Sequence, residues 1–193
     1  MSRRYLETIR ADDGKLFHLA YHQARLNTTL GESGVHKLSE ILVAPKEGLF
    51  RCRVSYNAVD IRVEYIPYLK REIKRLKIIE ADRLEYARKY EAREDLNALF
   101  KKRENCDDIC IIKNGLLCDT TIANIALFDG ERWVTPKTPL LEGTTRARYL
   151  DEGKIFPKDI ALSELFRYKK MALMNAMIDF DIIAAENIED IMC

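Results

Sequence analysis

The sequence of 193 residues lacks an excess of charge of either sign, because 31 acidic residues nearly balance 32 basic ones. The net charge of +1 provides no overall attraction to nucleic acid or to an anionic membrane surface. No apolar run approaches the roughly 20 residues that a membrane-spanning helix needs, and the polar N-terminus contains no apolar signal segment. We therefore expect a cytoplasmic protein that binds neither nucleic acid nor a membrane.

The sequence also lacks a metal-binding pattern of cysteines, because its five cysteines are an odd number without the pairing typical of metal sites. Cys106 and Cys110 are the closest pair, but Cys110 lies in an apolar run that is typical of a buried strand. We therefore predict no metal site and reduced, mostly structural thiols. With 47% hydrophobic and 33% charged residues, the chain has the composition of one or two globular domains rather than of a disordered segment.

The sequence does contain a series of short predicted strands in its second half. An apolar run at Ile109–Ile112 is followed by Asn114-Gly115, which is a strong signal for a two-residue hairpin turn. A second apolar run covers Asn124–Phe128, and Asp129-Gly130 predicts another hairpin turn. This alternation of apolar runs and turn residues predicts a β-rich domain.

Two features of this half suggest chemistry. Asp119 follows an apolar pair and is therefore expected close to the core. Gly143, Thr144 and Thr145 precede a helix-like run, and the free backbone N–H groups of a helix N-terminus favour an anion. The residues alone leave a second interpretation open, in which Asp119 caps a turn and the Gly-Thr-Thr sequence only caps the helix.

The first part of the chain predicts a small α+β domain over residues 1–67, followed by a larger β-rich domain over residues 68–193. The Ile66-Pro67-Tyr68 sequence is the predicted connection between them. Within the predicted helix of the first domain, His22 and Arg25 lie one turn apart. From the residues alone, we expect His22 to be packed and hydrogen-bonded, and Arg25 to form an ion pair at the helix surface.

Taken together, the order of these elements resembles the class IV aminotransferase family, from about Leu6 to about Phe180. The most specific pieces are Asn124-Ile125 and the spacing of Leu141, Gly143, Thr145 and Arg146. The resemblance implies an α+β fold of the D-amino-acid aminotransferase type, with a small N-terminal domain that is truncated at its start. It also implies pyridoxal 5'-phosphate (PLP) as the cofactor, a small-molecule amine as the substrate and a homodimer as the assembly.

The resemblance further implies which residues form the site. Lys89 would be the catalytic lysine that binds the cofactor covalently, because Arg93 follows it at the spacing found in the lyase-like members. Asp119 would face the pyridine nitrogen, at a position where the family usually has glutamate. The full set of implied cofactor-binding residues is Arg25, Lys89, Asp119, Asn124, Thr144, Thr145 and Asn175.

Three functions remain open at this point. The first is 4-amino-4-deoxychorismate lyase, which eliminates pyruvate to give 4-aminobenzoate for folate synthesis. The second is an aminotransferase that moves an amino group between a branched-chain or D-amino acid and a 2-oxo acid. The third is a PLP-binding protein without activity, because Asp119 replaces glutamate and the family's first strand is missing.

Overall fold

The structure is a computed structural model that describes residues 3–31 and 35–193. Two units can be distinguished in it. The first comprises Met1–Lys70 together with Arg88–Ala92, and the second comprises Arg71–Ala87 together with Arg93–Cys193. The segment that carries Lys89 therefore belongs to the first unit. Within the described ranges, no helix is both long enough and apolar enough to span a membrane.

In its described residues, the first unit contains a four-stranded antiparallel sheet and two helices. The strand order is β2-β1-β3-β4. Its elements are β1 (Tyr5–Asp12), β2 (Lys15–Leu16), α1 (Leu19–Leu30), α2 (Leu38–Ile41), β3 (Leu49–Tyr56) and β4 (Ile61–Pro67).

One face of β1 forms the core of this unit. Because successive side chains of a strand point to opposite faces, Glu7, Ile9 and Ala11 share one face, and all three are fully buried. Leu26 of α1 and Val54 of β3 belong to the same apolar cluster as Ile9 and Ala11. Because side chains alternate between the two faces of β1, the carboxylate of Glu7 is buried among apolar side chains.

The second unit contains two sheets. The smaller one has the order β5-β6-β7, and the larger one has the order β10-β9-β8-β11-β12. The strands are β5 (Leu76–Glu80), β6 (Asp108–Lys113), β7 (Leu116–Leu117), β8 (Asn124–Phe128), β9 (Trp133–Pro136), β10 (Ile155–Lys158), β11 (Lys170–Asn175) and β12 (Asp179–Ile182). The helices are α3 (Glu94–Phe100), α4 (Thr144–Asp151) and α5 (Ile188–Ile191), with 3₁₀ turns at Lys101–Arg103 and Leu162–Arg167.

Of the two predicted two-residue hairpin turns, the structure contains one and replaces the other by a longer loop. Asn114 and Gly115 have φ angles of 51° and 76° and join β6 directly to β7, which confirms the two-residue turn. Asp129-Gly130 is instead part of a longer loop, because Phe128 pairs with Trp133. Asp129 Oδ1 holds this loop by accepting hydrogen bonds from two backbone N–H groups, those of residues 131 and 132.

The oxidation state of the cysteines differs in part from the prediction. Cys106 and Cys193 form a disulfide, with their Cα atoms 6.4 Å apart, so the expectation of reduced thiols is wrong for this pair. The other three cysteines are free and buried, namely Cys52, Cys110 and Cys118. The bridge joins residues 87 positions apart, and such a long-range pairing cannot be derived from the spacing of cysteines along the chain.

Candidate active site

Asp119 lies in the loop between β7 and β8, and only 3% of its surface is exposed. Its Oδ1 accepts a hydrogen bond from Asn124 Nδ2 at 2.8 Å, and its Oδ2 accepts one from the backbone N–H of Leu141 at 2.9 Å. Burial raises the pKa of Asp119 to about 6, although these hydrogen bonds act in the opposite direction. The carboxyl group is therefore fixed in orientation and titrates close to neutral pH.

Asn124 connects this loop to the start of α4. Its Nδ2 also donates to the carbonyl oxygen of Leu141 at 2.8 Å, so a single amide group binds both Asp119 and the segment that precedes the helix. A Cβ atom added at Gly143 would lie 2.0 Å from Asn124 Oδ1. Glycine is required here by this close approach rather than by backbone strain, because its φ is −73°. Asn124 and Gly143 thus fix where α4 begins relative to Asp119.

The N-terminus of α4 has the properties of an anion site. The helix begins at Thr144, and Thr144 and Thr145 are both buried in its first turn. The first N–H groups of any helix lack intrahelical partners and carry a partial positive charge. Combined with two hydroxyl groups, this end of α4 can bind a phosphate group.

Asn175 has a clear role in a turn. At the end of β11, its Oδ1 accepts hydrogen bonds from the backbone N–H groups of Met177 and Ile178 at 2.9 and 3.1 Å. Its Nδ2 donates to the carbonyl oxygen of Ile122 at 3.2 Å. The structure therefore brings Asn175 to the loop that carries Asp119 and leads into Asn124, and cofactor binding by Asn175 stays a prediction.

Two residues that sequence analysis did not assign to the site also hold this loop. Arg93 Nη2 donates to the carbonyl oxygen of Thr121, and Thr121 Oγ1 donates to Asp108 Oδ1 at 2.7 Å. Asp108 is fully buried, and burial raises its pKa. Asp108 was detectable as an acid at the start of a strongly apolar strand, whereas the contact of Arg93 with Thr121 has no local sequence signal.

In the first unit, Arg25 and His22 converge on Glu7. Arg25 Nε and Nη2 donate to the two carboxylate oxygens of Glu7 at 2.8 and 2.5 Å. His22 Nδ1 lies 2.6 Å from Glu7 Oε2, and the ring is 1% exposed, which confirms the packed and hydrogen-bonded histidine. Sequence analysis missed Glu7, although a charged residue that alternates with Ile9 and Ala11 on an apolar strand face was a usable signal.

The charges of this cluster can be assigned. Burial opposes ionisation of Glu7, but Arg25 and His22 outweigh it and lower the pKa of Glu7 to about 2. Burial lowers the pKa of His22, so its ring is neutral at pH 7. Because an ionised carboxylate only accepts hydrogen bonds, the proton of the neutral ring lies on Nδ1 and is donated to Glu7.

Lys89 lies near this cluster. The backbone N–H of Leu6 donates to the carbonyl oxygen of Lys89 at 2.8 Å, which attaches the lysine segment to β1. The positive charge of Lys89 also contributes to the lowered pKa of His22. The structure thus brings Arg25 and Lys89 together in the first unit, while the other predicted site residues lie in the second unit.

Comparison with known proteins identifies the family. The sequence profile of the amino-transferase class IV family matches residues 55–184. An uncharacterized protein of Haemophilus influenzae is 35% identical over 180 residues, which cover 89% of this chain and 96% of that protein. A crystal structure from Haemophilus somnus, described as a candidate 4-amino-4-deoxychorismate lyase, is 33% identical with a TM-score of 0.84, covering 92% of this chain and 97% of that one. The PLP-bound form of a hypothetical aminotransferase from Mycobacterium tuberculosis shares the fold at 16% identity, with a TM-score of 0.77 and coverage of 94% and 80%.

The chain belongs to the class IV aminotransferase family. Its mixed α+β structure is the fold of that family, as the sequence predicted. Enzymes of this family depend on PLP, so the chain is a PLP-dependent enzyme of the aminotransferase or lyase type.

The residues present fit this cofactor. PLP requires an amine for covalent attachment, a carboxylate for its pyridine nitrogen and donors for its phosphate group. Asp119 is a buried carboxyl group whose oxygens can accept about four hydrogen bonds in the ionised state, and two of the observed bonds come from Asn124 and Leu141. The first turn of α4 supplies two hydroxyl groups and a helix N-terminus.

Proposed function

We propose that this protein is a 4-amino-4-deoxychorismate lyase, which eliminates pyruvate from its substrate and releases 4-aminobenzoate. The observation that carries this proposal is the likeness to the Haemophilus somnus structure, at 33% identity over 92% of the chain. The spacing between Lys89 and Arg93, which resembles that of the lyase-like members, supports the same choice.

In this proposal, Lys89 is the catalytic residue. PLP, when bound, supplies an electron sink that stabilises negative charge on the substrate carbon from which a proton is removed. The Nζ atom of Lys89 would accept that proton and return one later, and it must be neutral to do so. We expect Lys89→Ala to lower kcat by a factor on the order of 10²–10⁴, which is the usual contribution of a positioned acid or base.

The other predicted residues would bind the cofactor. Asp119 would accept a hydrogen bond from the protonated pyridine nitrogen. Thr144, Thr145 and Arg25 would bind the phosphate group. Glu7 already fixes the plane of the Arg25 guanidinium through two hydrogen bonds, which would orient that group for a phosphate.

A product assay distinguishes the lyase from an aminotransferase. The PLP-loaded protein is mixed with 4-amino-4-deoxychorismate without any 2-oxo acid, and pyruvate and 4-aminobenzoate are quantified. The lyase predicts equal amounts of both products, whereas an aminotransferase needs a 2-oxo acid to turn over. Lys101→Ala, which removes an exposed lysine, is the matched control for Lys89→Ala and should keep full activity.

Two other results would decide against the lyase. Turnover of a branched-chain or D-amino acid that strictly requires a 2-oxo acid would establish the aminotransferase. Stable PLP binding with no turnover of either substrate type would establish a PLP-binding protein without activity. The proposal also includes a cytoplasmic homodimer, and light scattering of the purified protein measures the dimer directly.

A further inference from the structure

Asn124 is a buried side chain at the start of β8, and only 5% of its surface is exposed. Its Nδ2 atom carries two hydrogens, and it donates to Asp119 Oδ1 and to the carbonyl oxygen of Leu141, each at 2.8 Å. Because a backbone carbonyl only accepts hydrogen bonds, the nitrogen of the amide must point toward these two oxygens. Both donors of Asn124 are therefore used within the protein.

The other end of the same amide group packs on the backbone before α4. A Cβ atom added at Gly143 would lie 2.0 Å from Asn124 Oδ1, so this oxygen fills the space that a side chain at Gly143 would take. The amide of Asn124 thus contacts protein at both ends, and it has no free donor to offer to a cofactor.

The contacts of Asn124 belong to a closed set of three hydrogen bonds. Asn124 binds Asp119 Oδ1, the backbone N–H of Leu141 binds Asp119 Oδ2 at 2.9 Å, and Asn124 also binds the carbonyl oxygen of Leu141. Asp119 and Asn124 are further joined as partners of an antiparallel β-bridge. Because each carboxyl oxygen has its own donor, the carboxyl group of Asp119 cannot rotate without breaking a hydrogen bond.

This arrangement determines where Asp119 can accept another hydrogen bond. An ionised carboxylate accepts about four hydrogen bonds, and Asn124 and Leu141 supply two of them. A donor prefers to approach near the plane of the carboxyl group. The remaining acceptor positions of Asp119 therefore lie in a plane that Asn124 helps to fix.

We propose that Asn124 is a positioning residue rather than a cofactor ligand, and that it orients the Asp119 carboxyl group toward the pyridine nitrogen of PLP. The second part of this statement rests on the proposed role of Asp119 in cofactor binding. Asn124 therefore acts on the cofactor ring through Asp119. This role differs from the direct cofactor contact that the family resemblance implies for Asn124.

The test is a double-mutant cycle on the Kd of PLP, measured by absorbance titration. Asn124→Ala should raise this Kd about tenfold, which corresponds to the loss of one hydrogen bond. In an Asp119→Asn background the same change should raise the Kd less than about threefold, because no carboxylate is left to orient. Equal increases in both backgrounds would show that Asn124 binds the cofactor directly, and would overturn the proposal.

Two fragments of the cofactor separate this role from an effect on α4. Pyridoxal carries the ring without the phosphate group, and inorganic phosphate carries the anion alone. Asn124→Ala should raise the Kd of pyridoxal by the same factor as that of PLP. The Kd of inorganic phosphate should not change, because Thr144 and Thr145 remain in the first turn of α4. An equal loss of affinity for inorganic phosphate would show that Asn124 acts through α4, and the proposal would be wrong.

Thr135→Val is the matched control. Thr135 is fully buried in β9, and its Oγ1 donates to the carbonyl oxygen of Ile125 at 2.8 Å. The variant thus removes a buried hydrogen bond within the larger sheet instead of one to Asp119. We expect an unchanged Kd of PLP, and a loss equal to that of Asn124→Ala would contradict a specific role of Asn124.

If Asn124→Ala does not fold, Asn124→Asp provides the same test. It keeps the size of the side chain and replaces both donors by an oxygen that repels the carboxylate of Asp119. We expect the Kd of PLP at pH 7 to rise by at least the factor of about ten expected for Asn124→Ala. An unchanged Kd in Asn124→Asp would overturn the proposal.

A measurement without cofactor separates this proposal from the proposed role of Asp119. The chain is labelled with ¹³C at the aspartate carboxyl carbons, and the signal of Asp119 is assigned by its loss in Asp119→Asn. Asn124→Ala should raise the pKa of Asp119 by about one unit, because a hydrogen bond to the ionised form is lost. An unchanged titration would overturn the link between Asn124 and Asp119. A raised pKa together with a Kd of PLP that Asp119→Asn leaves unchanged would confirm this link and remove Asp119 from the cofactor site.

Discussion

Replacing the buried carboxylate of Glu7 tests the organisation of the first unit. In Glu7→Gln, the carboxylate that binds Arg25 and His22 becomes a neutral amide of nearly the same size. The pKa of Glu7 falls from 4.5 to about 2, and each pKa unit corresponds to about 1.4 kcal/mol, so the ionised form contributes about 3 kcal/mol. The loss of a partner in a buried ion pair has a similar size, about 3–5 kcal/mol. Because Arg25 retains 16% exposure, we expect a value near 3 kcal/mol.

The assay is urea-induced unfolding of the full chain at pH 7, followed by circular dichroism. Glu40→Gln is the matched control, because the pair of Lys37 and Glu40 is largely exposed and should contribute less than about 1 kcal/mol. A free energy of unfolding for Glu7→Gln within 1 kcal/mol of the wild-type value would show that the Glu7 carboxylate does not stabilise the first unit.

The difference in stability between the wild type and Glu7→Gln should depend on pH. The folded-state pKa of Glu7 lies below its unfolded-state value, so its contribution is present above pH 4.5 and is lost as the pH falls toward 2. The difference in stability between the wild type and Glu7→Gln should therefore shrink between pH 4.5 and 2. A difference that stays constant over this range would show that the charge of Glu7 is not the stabilising element.

Three further predictions concern the second unit. Gly143→Ala should lower the free energy of unfolding by about 1–3 kcal/mol, because the added Cβ meets the side-chain oxygen of Asn124. The loss should be much smaller in an Asn124→Ala background, and equal losses in urea unfolding of both backgrounds would contradict this contact. For Asp119, the folded-state pKa of about 6 lies above the unfolded-state value of 3.8, so without cofactor the wild type should lose about 3 kcal/mol relative to Asp119→Asn as the pH rises from about 3 to about 7. Parallel stability curves of the two proteins would argue against a buried, titrating carboxyl group. Asp119→Asn should also raise the Kd of PLP and lower activity, and unchanged binding by absorbance titration would remove Asp119 from the site.

Local features of the fold were predictable because their causes lie within a few residues. The turn at Asn114-Gly115 needs two positive φ angles, which this dipeptide adopts readily, and the structure has them. The loop at Asp129 was less predictable, because its length depends on which residues of β8 and β9 pair. Turn chemistry thus indicated where strands end, while strand pairing decided how many residues lie between them.

The site itself depends on contacts between distant residues. Asp119 accepts a hydrogen bond from Leu141, 22 positions away, and Glu7 binds Arg25, 18 positions away. Neither pairing follows from hydrophobic periodicity, since each is set by how a helix or loop packs on a strand. The family resemblance indicated Asp119 and Arg25 as site residues, but the groups that hold them in place required the structure.

The role of Lys89 as the catalytic lysine is tested most directly by locating the covalent attachment of the cofactor. The purified protein is incubated with PLP, reduced with borohydride, digested and analysed by peptide mapping, with Lys89→Ala and Lys101→Ala treated in parallel. We expect a single reduced adduct on Lys89, its loss in Lys89→Ala and its retention in Lys101→Ala. An adduct on another lysine, or a reduced adduct that persists in Lys89→Ala, would contradict the assignment of Lys89 as the catalytic lysine.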